Sequence, residues 1–232
     1  MLPYYLRHYL PLAERFVILD DGSTDGSLEI LGRHEQIEVR RFQCEGDSLI
    51  ESGNRVNNEI WKESRGAADW VIICDLDEHL YHADLLGYLD RCRRQGVTVI
   101  PSIGYQMISH TFPDVQTRLC DTVTQGMRWD RMDKPSIFDP NRIVDINYVG
   151  GRHIAAPTGE VVFPPHAEVK LLHYKYLGID YVVKRTAQLK PGLRKKDIDR
   201  GLGHKYLWGE REIRAEYEHI RANAVDAIQD GS

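Results

Sequence analysis

The 232-residue sequence lacks the features that mark several large classes of protein. No stretch approaches the roughly 20 consecutive apolar residues that a membrane-spanning helix needs. The first residues show no basic segment followed by an apolar segment and a cleavage site of small residues, so we expect no signal peptide. Positive charge is not in excess, because 30 Lys and Arg residues face 35 Asp and Glu residues. We therefore expect neither a transmembrane segment nor general binding to nucleic acid.

Cysteine is also scarce and forms no CxxC pair. The four cysteines are Cys44, Cys74, Cys92 and Cys120. We expect them to be reduced, mostly structural thiols in a cytoplasmic protein. Hydrophobic residues make up 42% of the chain and charged residues 28%, which is an ordinary globular balance and argues against disorder.

The first hundred residues alternate between helical and strand patterns. The predicted strands are RFVILD (15–20), IEVRRFQC (37–44), WVIICD (70–75) and VTVIPSIGY (97–105). The predicted helices are LPYYLRHYLPLA (2–13), SLEILGRH (27–34), SLIESGNRVNNEIWKESRG (48–66) and DLLGYLDRCRRQG (84–96). This alternation predicts an α/β fold whose mostly parallel sheet is covered by helices on both faces.

The pattern becomes irregular from about residue 105, where short strands mix with Pro and Gly turns. VKLLHY (169–174) predicts a further strand, and a charged helical region follows from about Ile179. No repeat or low-complexity linker interrupts the chain. We therefore expect a single domain over residues 1–232.

Carboxylates follow two of the apolar strands. Asp20, Asp21 and Asp25 lie in DDGSTDGS after the first strand, and DLDE (75–78) follows WVIIC. Ligands of open α/β sheets bind beyond the carboxyl ends of the strands. Because adjacent carboxylates repel each other, a hard divalent cation is the simplest way to neutralise them. Such a cation also binds substrate phosphates, so the expected ligand is a diphosphate.

Each acidic cluster alone has a simpler interpretation. DDGSTDGS also fits a turn with a helix cap, and DLDE also fits an acidic loop end. A calcium-binding loop starting at Asp21 is excluded, because Gly32 stands where that loop needs a bidentate Glu. The occurrence of both clusters in this order favours a ligand site.

The ordered motifs resemble those of the family 2 glycosyltransferases and their relatives with the GT-A fold. RFVILDDGSTDGSLEIL is similar to the nucleotide-binding strand and turn of the family, and ADWVIICDLDEHL to its metal-binding DxD segment. Three later motifs resemble those of bacterial family-2-like proteins, namely DKPSIF (133–138), GGRH (150–153) and LLHYKYLG (171–178). The resemblance implies a GT-A type, Rossmann-like sheet flanked by helices. It also implies a nucleotide-binding half (1–104) and an irregular acceptor-side half (105–232).

The resemblance also implies ligands for Mn²⁺ or Mg²⁺. Asp77 would hold the cation, and Asp75 would contact either the ribose or the cation with its water shell. His173 matches a late metal ligand of this fold, and imidazole suits Mn²⁺ better than Mg²⁺. A lone His in an apolar strand is otherwise a common core residue, and His153 and the pair His79 and His82 are alternatives.

The nucleotide contacts implied by the resemblance come from the first half of the chain. Asp20 or Asp21 would accept hydrogen bonds from the base or ribose, with Ser23 supporting their turn. Arg55 and Asn58 match an Arg-Asn pair near the nucleotide. Residues 194–196 (RKK) could reach a phosphate, although a solvated charged face is the simpler interpretation.

Inverting glycosyl transfer also needs a carboxylate that takes the proton of the acceptor. The second half shows no acidic pair of the family type, and Asp133 is the expected base, with Asp130 and Asp121 as alternatives. The resemblance also implies a further strand before LPYYLRHYL, where the sequence begins. If the protein lacks that strand, RFVILD is left partly unpaired.

The expected function is metal-dependent transfer of a sugar from a nucleotide-diphosphate sugar, with UDP as the expected nucleotide. The acceptor is open between a glycan, a lipid-linked molecule and a small molecule. One alternative is a non-catalytic relative that binds sugar nucleotides. Another is a nucleotidyltransferase, which usually has a Gly-rich phosphate loop near its start that this sequence lacks.

Overall fold

The computed structural model describes residues 1–114 and 116–230. The α-helices are α1 (Leu2–Tyr9), α2 (Ser27–Leu31), α3 (Leu49–Glu59), α4 (Leu85–Arg94), α5 (Leu119–Thr122), α6 (Ile179–Leu189), α7 (Lys195–Asp199) and α8 (Glu210–Ala222). The strands are β1 (Phe16–Asp20), β2 (Ile37–Arg41), β3 (Val71–Ile72), β4 (Glu78–Tyr81), β5 (Val99–Ile100), β6 (Ser102–Ser109), β7 (Gln125–Arg128), β8 (Ile137–Phe138), β9 (Ile143–Asp145), β10 (Thr158–Gly159), β11 (Val169–Leu177) and β12 (Val225–Asp226). Short 3-10 helices cover Ile60–Ser64, Asp130–Met132, Lys190–Gly192 and His204–Leu207.

The chain is a mixed α/β protein with a five-stranded mixed sheet at its centre. That sheet has the order β12-β7-β6-β11-β4, and a three-stranded sheet has the order β3-β8-β5. β1 pairs with β2 and with no other described strand, and β9 pairs with β10. No described helix has both the length and the apolar content needed to cross a bilayer.

The prediction of a mostly parallel sheet is wrong for the described strands. Only β1 with β2 and β6 with β11 run in parallel, and the other pairs are antiparallel. The cause is that strands of the irregular second half insert between those of the first. β8 lies between β3 and β5, and β11 lies between β4 and β6. Periodicity reports that a segment is a strand but not which partner it takes.

Two predicted strands differ from their apolar patterns in the described structure. WVIICD forms only the two-residue strand β3, and VTVIPSIGY is divided into β5 and β6 at Pro101. Proline has no backbone N–H to donate to a neighbouring strand, which explains the division. The short strand β4, directly after Asp77, was not predicted.

The core lies on both faces of β6 and β11. On one face, α4 contributes Tyr88 and Leu89 to a cluster that contains Leu171. On another, Tyr4 of α1 packs in one cluster with Tyr174. Helices α6 and α8 pack together over the end of the sheet. β11 therefore contributes to all three clusters, through Leu171, Tyr174 and Tyr176. This packing fixes the position of His173, which lies between Leu171 and Tyr174 on the same strand.

Gly178 joins β11 to α6 and sets the direction in which the helix leaves the sheet. Its φ is +84°, and a Cβ there would lie 3.0 Å from the backbone nitrogen of Phe112. We expect Gly178→Ala to lower the free energy of unfolding by about 1–3 kcal/mol, because the left-handed backbone and the close contact both disfavour a side chain. Chemical denaturation measures the change.

Gly53→Ala is the matched control for that substitution. Gly53 lies inside α3, and nothing lies within 4 Å of a Cβ built there. We expect this variant to be more stable than the wild type by about 0.4–1 kcal/mol, because alanine restricts the unfolded chain. Equal losses of stability in the two variants would contradict the assignment of strain to Gly178.

Candidate functional site

The acidic turn after β1 is shaped by Asp20. One carboxylate oxygen of Asp20 accepts from the N–H of Gly22 at 2.9 Å, and the other accepts from the N–H of Ser23 at 3.1 Å. A hydrogen bond from the Ser23 side chain, and then these two backbone bonds, lower the pKa of Asp20. Asp21 and Ser23 are exposed. Asp20 therefore builds the turn, and Asp21 and Ser23 remain open to solvent.

The second acidic turn directs its two aspartates to different partners. Asp75 is 63% exposed, and its Oδ2 lies 2.8 Å from the guanidinium of Arg152. Asp77 is turned toward β11, where its backbone oxygen accepts from the N–H of Tyr174 at 2.7 Å. The side chain of Asp77 faces His173 across 3.4 Å, measured from Oδ2 to Nε2. The predicted ligands Asp77 and His173 are thus together, and Asp75 is paired with Arg152 instead.

Gln106 fixes the ring of His173. Nδ1 of His173 lies 2.9 Å from Oε1 of Gln106, which accepts the ring proton when Nδ1 carries it. Nε2 then turns a lone pair toward the carboxylate of Asp77, and the two groups repel unless a proton or a cation lies between them. Burial opposes the charge of Asp77, but His173 outweighs it and lowers the pKa of Asp77.

The other histidines considered for a metal site lie elsewhere. His153 contacts the backbone oxygen of Arg131 at 2.6 Å, His79 is buried against His8, and His82 stacks on Tyr88. Among residues 1–114 and 116–230, no group of three or more His, Cys, Asp or Glu side chains is gathered for a metal ion. Asp77 and His173 are therefore a pair of potential ligands rather than a complete protein cage.

This pair opens into a small, partly open cleft between β11, α6 and the segment after α7. Its polar lining consists of Asp77, His173, Lys175, Tyr181, Arg185, Thr186 and Tyr206. Val182 and Leu189 supply the apolar part of the wall. The cleft thus combines one carboxylate, one imidazole, two cations and two phenols, which suits an anionic ligand bound together with a cation.

Helix α7, which precedes the segment that carries Tyr206, is fastened to α3 by a buried carboxylate. Asp197 accepts from the N–H groups of Leu49 at 2.9 Å and Arg194 at 3.0 Å, so it caps both α3 and its own helix α7. Lys196 is paired with Glu51 at 2.6 Å. Within the 194–196 segment, Lys196 is therefore already committed to a carboxylate.

A buried ion cluster of Glu78, Lys134 and Arg152 lies beside the second acidic turn and contacts Asp75 through Arg152. The sequence did not predict this cluster. Glu78 is paired with Lys134 and lies 2.8 Å from Arg152, and each side chain is at most 3% exposed. Arg152 also donates to the backbone oxygen of Ile73 at 2.7 Å. Despite burial, Arg152 and then Lys134 hold the pKa of Glu78 well below its usual range. The only sequence signal was a lone cation in each of DKPSIF and GGRH.

Asp133, the expected base, is engaged by its neighbours. One carboxylate oxygen accepts from the N–H of Gly104 at 2.8 Å, and the other accepts from Arg128 at 2.5 Å. Asp121, an alternative base, is paired with Arg118 at 2.7 Å. Asp133 therefore joins its own loop to β6 through Gly104 and to β7 through Arg128. Its role as the catalytic base stays a prediction.

The two residues predicted near the nucleotide on α3 have different surroundings. Arg55 forms an exposed ion pair with Glu45. Asn58 binds the backbone of Tyr148 twice, donating to its oxygen at 3.1 Å and accepting from its N–H at 2.7 Å. Asn58 therefore anchors the chain after β9, and Arg55 keeps an accessible guanidinium.

In comparisons with known proteins, the chain matches no family model and no curated protein. The chemistry of the cleft is therefore the basis on which its function is interpreted.

Proposed function

We propose that this protein is a metal-dependent glycosyltransferase of the GT-A type that uses a nucleotide-diphosphate sugar, with UDP as the expected nucleotide. The observation that carries the proposal is the facing pair of Asp77 and His173, 3.4 Å apart, in a cleft with two cations. One carboxylate and one imidazole suit Mn²⁺, or less well Mg²⁺, and leave room for water and phosphate oxygens. When bound, the cation would neutralise negative charge on the leaving diphosphate.

The position of the two acidic turns supports the proposal. Ile18 of β1 and Cys74, directly before Asp75, pack in one apolar cluster. The turn of Asp20 and the turn of Asp75 therefore leave the same part of the core. A nucleotide lying between them would contact Asp20, Asp21 or Asp75, with its phosphates toward Asp77. The four cysteines are free thiols, which agrees with the cytoplasmic location that we propose.

The residues of the chain have separate tasks in this proposal. His173 and Asp77 would hold the cation, and Gln106 orients the ring of His173. The cations of the cleft offset the charge of the diphosphate as its bond to the sugar breaks. Val182 and Leu189 supply the apolar wall beside these groups. Asp133 would need to release Gly104 or Arg128 before it could accept a proton.

Thermal unfolding with UDP, GDP, CDP and ADP, each with and without Mn²⁺, tests the proposal. A ligand at a hundred times its dissociation constant adds about 2.7 kcal/mol of stability. For a chain of this length that corresponds to a shift in Tm of roughly 5–10 °C. We expect such a shift with one nucleotide and only when Mn²⁺ is present. No shift with any nucleotide would contradict the proposal.

A second candidate is a non-catalytic protein that binds sugar nucleotides. It is favoured by Asp133, since both of its carboxylate oxygens already accept hydrogen bonds. Incubation with UDP-sugars separates the candidates: a transferase releases UDP when an acceptor is present, and a binding protein does not. Release of pyrophosphate instead would indicate a nucleotidyltransferase.

A further inference from the structure

Residues 181–196 concentrate positive charge in a chain that is negative as a whole. This segment, the basic run, contains six Lys and Arg residues and no Asp or Glu, whereas the net charge of the chain is -5. Lys196 is paired with Glu51. The other five cations form no ion pair with any described residue, namely Lys184, Arg185, Lys190, Arg194 and Lys195.

The basic run is held in place by packing on its inner side. It covers most of α6, the 3-10 helix Lys190–Gly192 and the start of α7. Val182, Thr186 and Leu193 are buried, and the buried carboxylate of Asp197, directly after the run, caps α3. The five unpaired cations are all exposed. The run therefore presents its charge on a surface of fixed shape.

Exposed aliphatic side chains lie next to this charge. Ile198 of α7 is 47% exposed, and it follows Arg194 by four residues and Lys195 by three, so the three share one side of the helix. Leu207, in the segment after α7, is 38% exposed. Cations beside exposed aliphatic groups match an anionic bilayer, because the charges meet the headgroups and the apolar side chains meet the acyl chains below them.

The basic run adjoins the cleft. Arg185 and Leu189 line the cleft wall, and Lys190 follows directly in the chain. Lys184, Lys190 and Lys195 are not among the lining residues. A surface bound to the run would therefore lie beside the opening of the cleft without occupying it.

We propose that the basic run and Ile198 dock the protein onto a membrane surface rich in anionic lipids. Nucleic acid also supplies phosphates, but it offers no hydrocarbon layer for an exposed aliphatic side chain. The docking is independent of the proposed function. Together with that function it favours the lipid-linked molecule among the acceptors left open, and this last step rests on the proposed function.

Sedimentation with vesicles tests the docking, using phosphatidylcholine alone or with about 30% phosphatidylglycerol as the anionic lipid. We expect binding to the anionic vesicles only, and weaker binding in high salt because salt screens the surface charge. The variant with Lys184→Gln, Lys190→Gln and Lys195→Gln should bind about 100-fold more weakly, or about 5-fold for each cation. Ile198→Ser should weaken binding by about 3- to 10-fold, because it removes a partly exposed apolar side chain.

The matched control removes three exposed cations outside the basic run. Arg33, Arg93 and Arg94 have side chains that are 56–68% exposed, and the last two lie on α4. The variant with Arg33→Gln, Arg93→Gln and Arg94→Gln has the same net charge as the lysine variant. Its binding to anionic vesicles should stay close to that of the wild type.

Equal binding to neutral and anionic vesicles, or no binding to either, overturns the docking. An equal loss in the two triple variants also overturns it, because net charge alone would then explain the binding. If the wild type binds a single-stranded oligonucleotide but no vesicles, the basic run serves nucleic acid and membrane docking is overturned. The lysine variant keeps every residue that lines the cleft, so its Tm shift with nucleotide and Mn²⁺ tests the proposed function separately.

Discussion

Replacing Glu78 by Gln is expected to lower the free energy of unfolding by about 3–5 kcal/mol, the cost of breaking a buried ion pair from one side. Glu78 is the buried carboxylate that pairs with both Lys134 and Arg152. The amide keeps the shape of the side chain but leaves two desolvated cations to repel each other. Urea denaturation at pH 7, followed by circular dichroism, measures the loss.

Glu168→Gln is the control for this substitution. Glu168 is 47% exposed and lies 3.4 Å from Arg91 and 3.5 Å from His82. Exposed ion pairs contribute little, so we expect a change within about 1 kcal/mol. If the Glu78 and Glu168 variants lost the same amount, the buried cluster would not be a major source of stability.

The difference in stability between the wild type and Glu78→Gln is expected to depend on pH in a defined way. The folded-state pKa of Glu78 is depressed, so its stabilising contribution is complete above the pKa of the unfolded chain, about 4.3. That contribution is lost as the pH falls through the lower, folded-state pKa. The difference in stability between wild type and Glu78→Gln should therefore be constant from pH 7 to about 5 and shrink in more acidic solution.

The ion cluster also connects stability to the site. Arg152 bonds to Glu78 and Asp75 with one guanidinium nitrogen, and its backbone has a φ of +67°. A non-glycine residue in that region is strained, and here the buried ion pairs hold it in place. Losing Glu78 would therefore also loosen the carboxylate of Asp75.

The sequence predicted local structure well where the deciding interactions are local. Helices α3 and α4 begin where Ser48 and Asp84 cap them, and both caps are visible as polar residues before apolar periodic segments. The strand pairing could not be obtained in the same way. β8 pairs with β3 and β5, which are distant in the sequence, and no periodic pattern specifies that choice.

The candidate site also contains residues that the sequence predicted and residues that it did not. The approach of Asp77 to His173 was expected from the order of motifs, and the structure brings the two side chains together. The cations Lys175 and Arg185 were not singled out, because a charge on an amphipathic helix or strand usually faces solvent. The packing of α6 against β11 brings these two side chains to the lining of the same cleft, and the sequence does not specify that packing.

Asp77→Asn is expected to abolish the Mn²⁺-dependent stabilisation by nucleotide, removing the whole shift of roughly 5–10 °C. The substitution replaces an anionic oxygen ligand by a neutral amide and leaves His173 without the second donor. The fold should persist, because the bond from Tyr174 goes to the backbone of Asp77 and its side chain is 35% exposed. The Tm without ligand should therefore change by only about 1–2 °C.

Asp69→Asn is the matched control, since Asp69 is an exposed carboxylate just before β3, at the opposite end from the acidic turn. It should retain the full shift with Mn²⁺ and nucleotide. His173→Gln should behave like Asp77→Asn, because either substitution leaves a single strong donor for the cation. If Asp77→Asn kept a wild-type shift that still required Mn²⁺, the cation would be held elsewhere. The facing of Asp77 and His173 would then be explained by a shared proton alone.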